Sequence, residues 1–195
     1  MGGNRTPLVE EFAEYALTLR YEAIAPEAVD MAKWLIFDTI GTALGGYQRA
    51  LGRKAVDFAM AGSPAGDATI LGDGRRTSAG QAAFANGVMI KILGMDDSHR
   101  SASHIASQVV PAALATAEVH GTSGRDFICA IVAAYDFAVR IGAAVRIAQR
   151  ERGLDVKGTV GSMAAALAAG RCAGLDRRRL AHAIALAADM ASGTE

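Results

Sequence analysis

A short polar segment, residues 96–104, holds most of the side chains in this sequence that could move a proton. It contains two carboxylates, two imidazoles, an arginine and three hydroxyls, and it lies between two apolar stretches. Polar groups beside a core are costly unless they are paired, so such a segment is either a solvated turn or a site. A histidine titrates near neutral pH, and an adjacent carboxylate can fix its tautomer. The segment is therefore equipped for acid–base chemistry on a carbon acid.

The residues alone leave three interpretations of this segment open: an exposed connection with Asp or Ser caps, a metal site, or a site of acid–base chemistry. Asp and His are suitable metal ligands, but their spacing here matches no zinc or calcium motif, so no metal is expected. Outside the segment, His120 and His182 lie toward the ends of predicted helices and are interpreted as structural.

Two cations near the polar segments could bind a substrate carboxylate. Arg100 lies in the first segment, and Lys157 lies in a second polar break, residues 151–158. An arginine presents paired N–H donors to a carboxylate, and a lysine presents a compact charge. Each could instead be an ordinary solvated charge.

Helical periodicity accounts for most of the chain outside these polar breaks, because apolar residues recur at intervals of three, four and seven. Thr6 as N-cap and Pro7 as first helical residue predict the first start, and Pro26 predicts the second. Later helices are predicted over residues 54–60, 77–93, 109–120, from 124, over 159–171 and after Asp176. Residues 68–71 predict a short strand or hairpin arm. The fold class is therefore mainly all-α, with a single helical domain over residues 1–195.

Composition narrows the classes of function. Hydrophobic residues make up 51% of the 195 residues and aromatic residues 6%, so aliphatic side chains must fill the core. Lys+Arg and Asp+Glu are equal at 20 each, and no basic surplus favours nucleic acid as a partner.

Cys129 and Cys172 lack a CxxC spacing and are interpreted as buried free thiols in a reducing compartment. Without a leader or a charge-free stretch of membrane length, a cytoplasmic protein with no membrane partner is expected.

Short motifs follow one another in a fixed order from the second predicted helix to the seventh. They are Phe-Asp-Thr-Ile-Gly at 37–41, Ala-Thr-Ile-Leu-Gly at 68–72, Ala-Ala-Phe-Ala-Asn-Gly at 82–87, Asp-Asp-Ser-His at 96–99, Tyr-Asp at 135–136 and Gly-Thr-Val-Gly at 158–161. In order and spacing they resemble the N-terminal part of the MmgE/PrpD family, and the resemblance covers nearly the whole chain.

The resemblance implies an activity and an architecture. The family contains 2-methylcitrate dehydratases, cis-aconitate decarboxylases and related isomerases, which act on small di- and tricarboxylates without a metal or iron–sulfur cluster, so no cofactor is expected. Members have a large helical domain and a smaller lid domain with the active site between them, and they usually form homodimers. This chain resembles the helical domain only. It is therefore either a subunit completed by a separate chain that supplies the lid, a truncated paralogue, or an excised part of a longer protein, and we do not expect this chain alone to be a competent enzyme.

By position, the resemblance places His104 at an active-site histidine and Asp97 and Ser98 on the same pocket wall. Asp155 stands where the family has its second active-site histidine, and Lys157 stands where it has a threonine. We accordingly expect the following roles: His104, Asp97 and Asp155 as catalytic residues, and Ser98, His99, Arg100 and Lys157 as substrate-binding residues.

Two functions remain open at this point. The chain is either the helical part of a cofactor-independent lyase or isomerase for a small polycarboxylate, or a non-catalytic module for dimerisation or carboxylate binding. Asp155 favours the second function, because an ionised carboxylate only accepts hydrogen bonds and cannot replace a cationic donor.

Overall fold

The computed structural model describes residues 6–192, and helices dominate them, which confirms the prediction of a mainly all-α fold. The helices are α1 (Leu8–Thr18), α2 (Pro26–Tyr47), α3 (Ala50–Gly62), α4 (Ala79–Ile92), α5 (Ala106–His120), α6 (Gly124–Glu151), α7 (Ser162–Cys172) and α8 (Arg177–Asp189). A 3₁₀ turn (Tyr21–Ala23) precedes α2, and a π-helical turn (Lys157–Gly161) precedes α7. Strands β1 (Ala68–Thr69) and β2 (Arg76–Thr77) pair antiparallel, as the hairpin prediction required.

Local capping signals identified several helix ends correctly. The Ser123 hydroxyl accepts the backbone N–H of Asp126 at 3.1 Å and donates to the Asp126 carboxylate at 2.6 Å, which fixes the start of α6. Asp176 caps α8 by accepting the backbone N–H of Arg179 at 2.9 Å. Gly121 ends α5 with a φ of 64°, a conformation that glycine adopts without strain.

Other predicted starts were wrong by up to a turn. Pro7, not Thr6, is the N-cap of α1, and the helix begins at Leu8. The third helix begins at Ala50 rather than at residue 54, and α5 begins at Ala106 rather than at residue 109. The earlier start of α5 brings the helix directly up to the polar loop.

Small residues allow close contacts between helices. The alanine-rich α5 and α7 pack against each other in the middle of the bundle. Gly46 of α2 lies against the backbone of Met89 in α4. Gly142 of α6 lies against the loop before α5, where an added Cβ would stand 2.5 Å from the Ser101 carbonyl oxygen. This second contact seats the polar loop on α6.

Among the helices of residues 6–192, α6 alone is long and apolar enough to span a membrane by length and composition. However, 44% of its most apolar stretch is buried inside the fold, where α6 packs against α1, α2, α5 and α7. Its hydropathy therefore fits its place as a core helix.

Both cysteines are buried free thiols, as their apolar surroundings predicted. Burial raises the pKa of the Cys172 thiol to about 12, and burial also raises the pKa of Cys129. Neither thiol is therefore a reactive nucleophile in the folded protein.

Candidate functional site

The polar loop between α4 and α5 is held in place by its own backbone. Gly94 ends α4 with a φ of 61°, and its N–H donates to the Lys91 carbonyl at 3.1 Å. His99 and Ser103 then exchange two backbone hydrogen bonds of 2.8 Å. Ser103 has a φ of 62°, and in the described part of the chain no other non-glycine residue has a positive φ. Because the backbone is constrained in this way, it fixes the directions in which the side chains of the loop leave it.

Asp96 is the buried carboxylate of the loop. Its side chain is 0% exposed, and the Lys91 Nζ atom lies 3.0 and 3.2 Å from its two oxygens. The Nδ1 atom of His104 lies 3.3 Å from Oδ1 of Asp96, but the angle is not that of a hydrogen bond. The Asp96 carboxylate therefore faces a lysine and an imidazole together, and both can stabilise its negative charge.

The neighbouring Asp97 faces other partners. Its Oδ1 accepts the backbone N–H of Ala106, the first residue of α5, at 2.8 Å, and its Oδ2 accepts the Tyr135 hydroxyl at 3.0 Å. Burial raises the pKa of Asp97 despite these hydrogen bonds, and burial likewise raises the pKa of Tyr135. Asp97 thus anchors α5 to α6, and Asp96 is the carboxylate that contacts His104.

Asp155 and Lys157 form an ion pair in the loop after α6. The Lys157 Nζ lies 2.8 Å from Oδ2 of Asp155, and the Lys157 backbone N–H donates to Oδ1 at 2.9 Å. Burial acts to raise the pKa of Asp155, but these hydrogen bonds and the lysine charge outweigh it and hold the pKa below its ordinary value. The nearby His104 lowers the pKa further. Asp155 is thus ionised at neutral pH, and its lowered pKa makes it a weak base.

The π-helical turn joins this ion pair to α5 and α6. The Gln108 side-chain amide donates to the Lys157 carbonyl at 2.8 Å, and the Thr159 hydroxyl donates to the Gln149 side-chain oxygen at 3.0 Å. A Cβ at Gly161 would overlap the end of the Gln108 side chain, which would have to move away from the Lys157 carbonyl. Such π-helical turns are frequent at functional sites.

Two open cavities lie beside these groups. Different members of the predicted site residues line each cavity. A cavity of about 270 Å³ is lined by Ser98, His99, Arg100 and Asp155, together with side chains of α6. Another cavity, of about 440 Å³, has Lys157 in its wall. His104 and Asp97 line neither cavity; His104 lies partly exposed beside Asp96, and Asp97 lies behind it.

Sequence reasoning missed five polar residues of this region. Lys91 and Gln108 line the larger cavity, Arg146 and Arg150 line the smaller one, and Tyr135 binds Asp97. Each lies on a helix whose periodicity explained it as an ordinary helical residue. The Tyr-Asp motif at 135–136 was a signal for Tyr135, whereas nothing local pointed to the others.

The described residues contain no group of three or more His, Cys, Asp or Glu side chains placed to hold a metal ion. Two carboxylates of this region are paired with cations, Asp96 with Lys91 and Asp155 with Lys157. In both pairs the positive charge beside the carboxylate is a lysine.

Comparison with known proteins identifies the family of this chain. The family model for the MmgE/PrpD N-terminal domain matches residues 10–195. The chain belongs to the MmgE/PrpD family. It is 29% identical to a cis-aconitate decarboxylase of Aspergillus terreus over 97% of its own length, and 30% identical to a cis-aconitate decarboxylase-like protein of Aspergillus oryzae over 94%.

The chain spans about 40% of the length of each of these relatives. The match falls on the MmgE/PrpD N-terminal domain, which the eight helices of the described residues represent. The chain is thus a relative of lyases.

Proposed function

We propose that this chain is the helical part of a cofactor-independent lyase that acts on a small di- or tricarboxylate by proton transfer. The observation that carries the proposal is the contact of the His104 imidazole with the fully buried carboxylate of Asp96 at 3.3 Å. An imidazole beside a carboxylate is common equipment for carrying a proton to or from a substrate carbon. The cis-aconitate decarboxylases among its relatives favour a lyase over an isomerase.

In this proposal His104 exchanges the proton and Asp96 positions it. The Lys91 Nζ contacts both oxygens of the Asp96 carboxylate, at 3.0 and 3.2 Å, and holds it in place beside the imidazole. Asp155 is a poorer base than the sequence suggested, because its hydrogen bonds with Lys157 lower its pKa. We assign the Asp155–Lys157 pair to substrate binding, in which a substrate carboxylate competes with Asp155 for the lysine.

The cavities beside His104 are open, and we propose that a lid domain closes them. The lid would come either from a longer polypeptide that includes this chain or from a separate chain. We also propose a homodimer located in the cytoplasm. Closure of a lid excludes water and strengthens charge interactions in the site.

The test is deuterium exchange, which reports proton transfer whichever bond the enzyme finally breaks. The protein, with its lid, would be incubated in D₂O with cis-aconitate or citrate, and incorporation at carbon would be followed by NMR. His104→Asn should slow exchange about 100-fold or more. His120→Asn, a change at an exposed histidine on α5, is the matched control and should exchange normally. Normal exchange by His104→Asn would refute the proposal.

A second candidate function is a carboxylate-binding or dimerisation module without catalysis. The observation that favours it is that Asp155, which stands where the resemblance places a second active-site histidine, is already paired with Lys157 and is a poor base. Calorimetric binding of a di- or tricarboxylate without any exchange in D₂O would support this function and contradict the first.

A further inference from the structure

Three arginines surround the smaller cavity, the one of about 270 Å³, from two sides. Arg146 and Arg150 lie four residues apart near the end of α6, and side chains with that spacing share one face of a helix. Arg100 faces the same cavity from the polar loop. The cavity is therefore lined by arginines from two elements, the polar loop and the end of α6.

The end of α6 fixes this arrangement. Gly153 adopts a φ of 68°, its N–H donates to the Arg150 carbonyl at 3.0 Å, and the Leu154 N–H donates to the Gln149 carbonyl at 2.9 Å. These two bonds form a Schellman motif, which stops the helix and turns the chain back. The turn brings Leu154 and Asp155 into the cavity wall next to Arg150.

The charges in the cavity are unbalanced. Across residues 6–192, neither Arg100 nor Arg146 nor Arg150 forms an ion pair with an acidic side chain. The one carboxylate in the lining, Asp155, lies 2.8 Å from Lys157 Nζ and is neutralised by it. The cavity is thus strongly cationic, although the whole chain has a formal net charge of zero.

Neutral donors complete the lining. Ser98 and Ser103, each with a hydroxyl, also line the cavity. Nδ1 of His99 accepts the Ser101 N–H at 3.2 Å, so the neutral ring carries its proton on Nε2 and can donate from there. These groups are hydrogen-bond donors, which suit a ligand with many acceptor oxygens.

We propose that Arg100, Arg146 and Arg150 form a carboxylate-binding subsite that selects a substrate with at least two carboxylates. The subsite rests on the proposed function, because it holds the unreactive carboxylates while the reacting carbon lies toward Asp155 and His104. Guanidinium groups bind carboxylates through paired N–H donors, which fixes orientation as well as charge. A volume of about 270 Å³ suits a small acid rather than a nucleotide or a peptide.

The experiment is calorimetric titration of the full protein with tricarballylate, a saturated tricarboxylate, at physiological ionic strength. The double variant Arg146→Gln and Arg150→Gln should bind at least about tenfold more weakly, because each lost charged hydrogen bond weakens affinity by that order. Arg178→Gln is the matched control, since Arg178 is an exposed arginine on α8, and it should bind like the wild type. Inorganic phosphate is titrated in parallel and should bind much more weakly than tricarballylate.

The outcomes separate this subsite from the proposed function. Equal tricarballylate affinity in the double variant and the wild type, or no binding by the wild type, would overturn the arginine subsite even if exchange by His104 is observed. Equal affinity for phosphate would overturn its selectivity for carboxylates. Binding that depends on Arg146 and Arg150 without any deuterium exchange would support the subsite and contradict the lyase.

Discussion

At the scale of single residues, Asp96 and Asp97 are adjacent in sequence and have separate tasks. Asp96 meets a lysine and an imidazole, whereas Asp97 meets a backbone N–H and the Tyr135 hydroxyl. The sequence indicated that this pair mattered, but it could not say which carboxylate faces His104. That choice depends on the direction of the loop backbone, which Gly94 and the His99–Ser103 contacts set.

Two substitutions of Asp97 test the contributions of its hydrogen bonds and of its charge to stability separately. Asp97→Ala leaves the Ala106 N–H and the Tyr135 hydroxyl without their acceptor, and we expect it to lower the free energy of unfolding by about 1–3 kcal/mol. Asp97→Asn keeps an acceptor and removes a charge whose burial raises the pKa, so we expect a much smaller loss. Urea unfolding measures both. Asp30→Ala, at an exposed ion pair on α2, is the control and should change stability little; equal losses at positions 97 and 30 would contradict the anchoring role.

Asp155 gives a dependence of stability on pH. Its folded-state pKa lies below the ordinary value, so the stability it contributes is present above the unfolded-state value near 4 and is lost as the pH falls through the folded-state pKa. The pair with Lys157 is partly exposed, so we expect a contribution of about 1 kcal/mol or less. The unfolding free energies of wild type and Asp155→Asn should converge on acidification from about pH 5 to 3. A constant difference over that range would show that the pair is not the cause.

At the scale of elements, the sequence predicted the helix ends that local signals determine. It did not predict the features that depend on tertiary contacts. The caps of α6 and α8 and the end of α5 depend on neighbouring residues, and the sequence identified them correctly. The start of α5 was predicted three residues late, because its first turn is held by a tertiary contact, the hydrogen bond from the Ala106 N–H to Asp97. The cavity lining from α6 was missed because Arg146 and Arg150 lie about fifty residues from the polar loop.

Two glycine substitutions should have opposite effects. Gly142→Ala places a Cβ 2.5 Å from the Ser101 carbonyl oxygen, so the loop or α6 must shift, and we expect a loss of about 1–3 kcal/mol. Gly41→Ala lies within α2 with nothing within 4 Å of the new Cβ, and we expect a gain of about 0.5–1 kcal/mol from helix propensity. Chemical denaturation compares the two variants. A Gly142→Ala protein as stable as wild type would show that α6 does not seat the loop.

At the scale of the whole molecule, one face of α2 is apolar and exposed. Met31, Trp34, Phe37 and Leu44 recur at helical spacing, with exposures of 68%, 68%, 70% and 45%. The rings of Trp34 and Phe37 contact each other edge to face at 6.0 Å. Beside them an apolar groove of about 320 Å³ lies between α2 and α6. A contiguous exposed apolar surface of this kind marks an interaction site in soluble proteins.

If the proposed homodimer uses this face, Trp34 reports its formation, because it is the only tryptophan in the sequence. Its emission should shift to the blue, and acrylamide should quench it less, as protein concentration rises, since a partner removes the indole from water. Sedimentation velocity over the same concentrations should show a monomer converting to a dimer.

Phe37→Glu places a charge in the centre of the face and should keep the protein monomeric with Trp34 exposed. Leu186→Glu, on α8 and 62% exposed, adds the same charge elsewhere and should leave association unchanged. A dimer that forms equally well in the Phe37→Glu variant would place the interface on another surface.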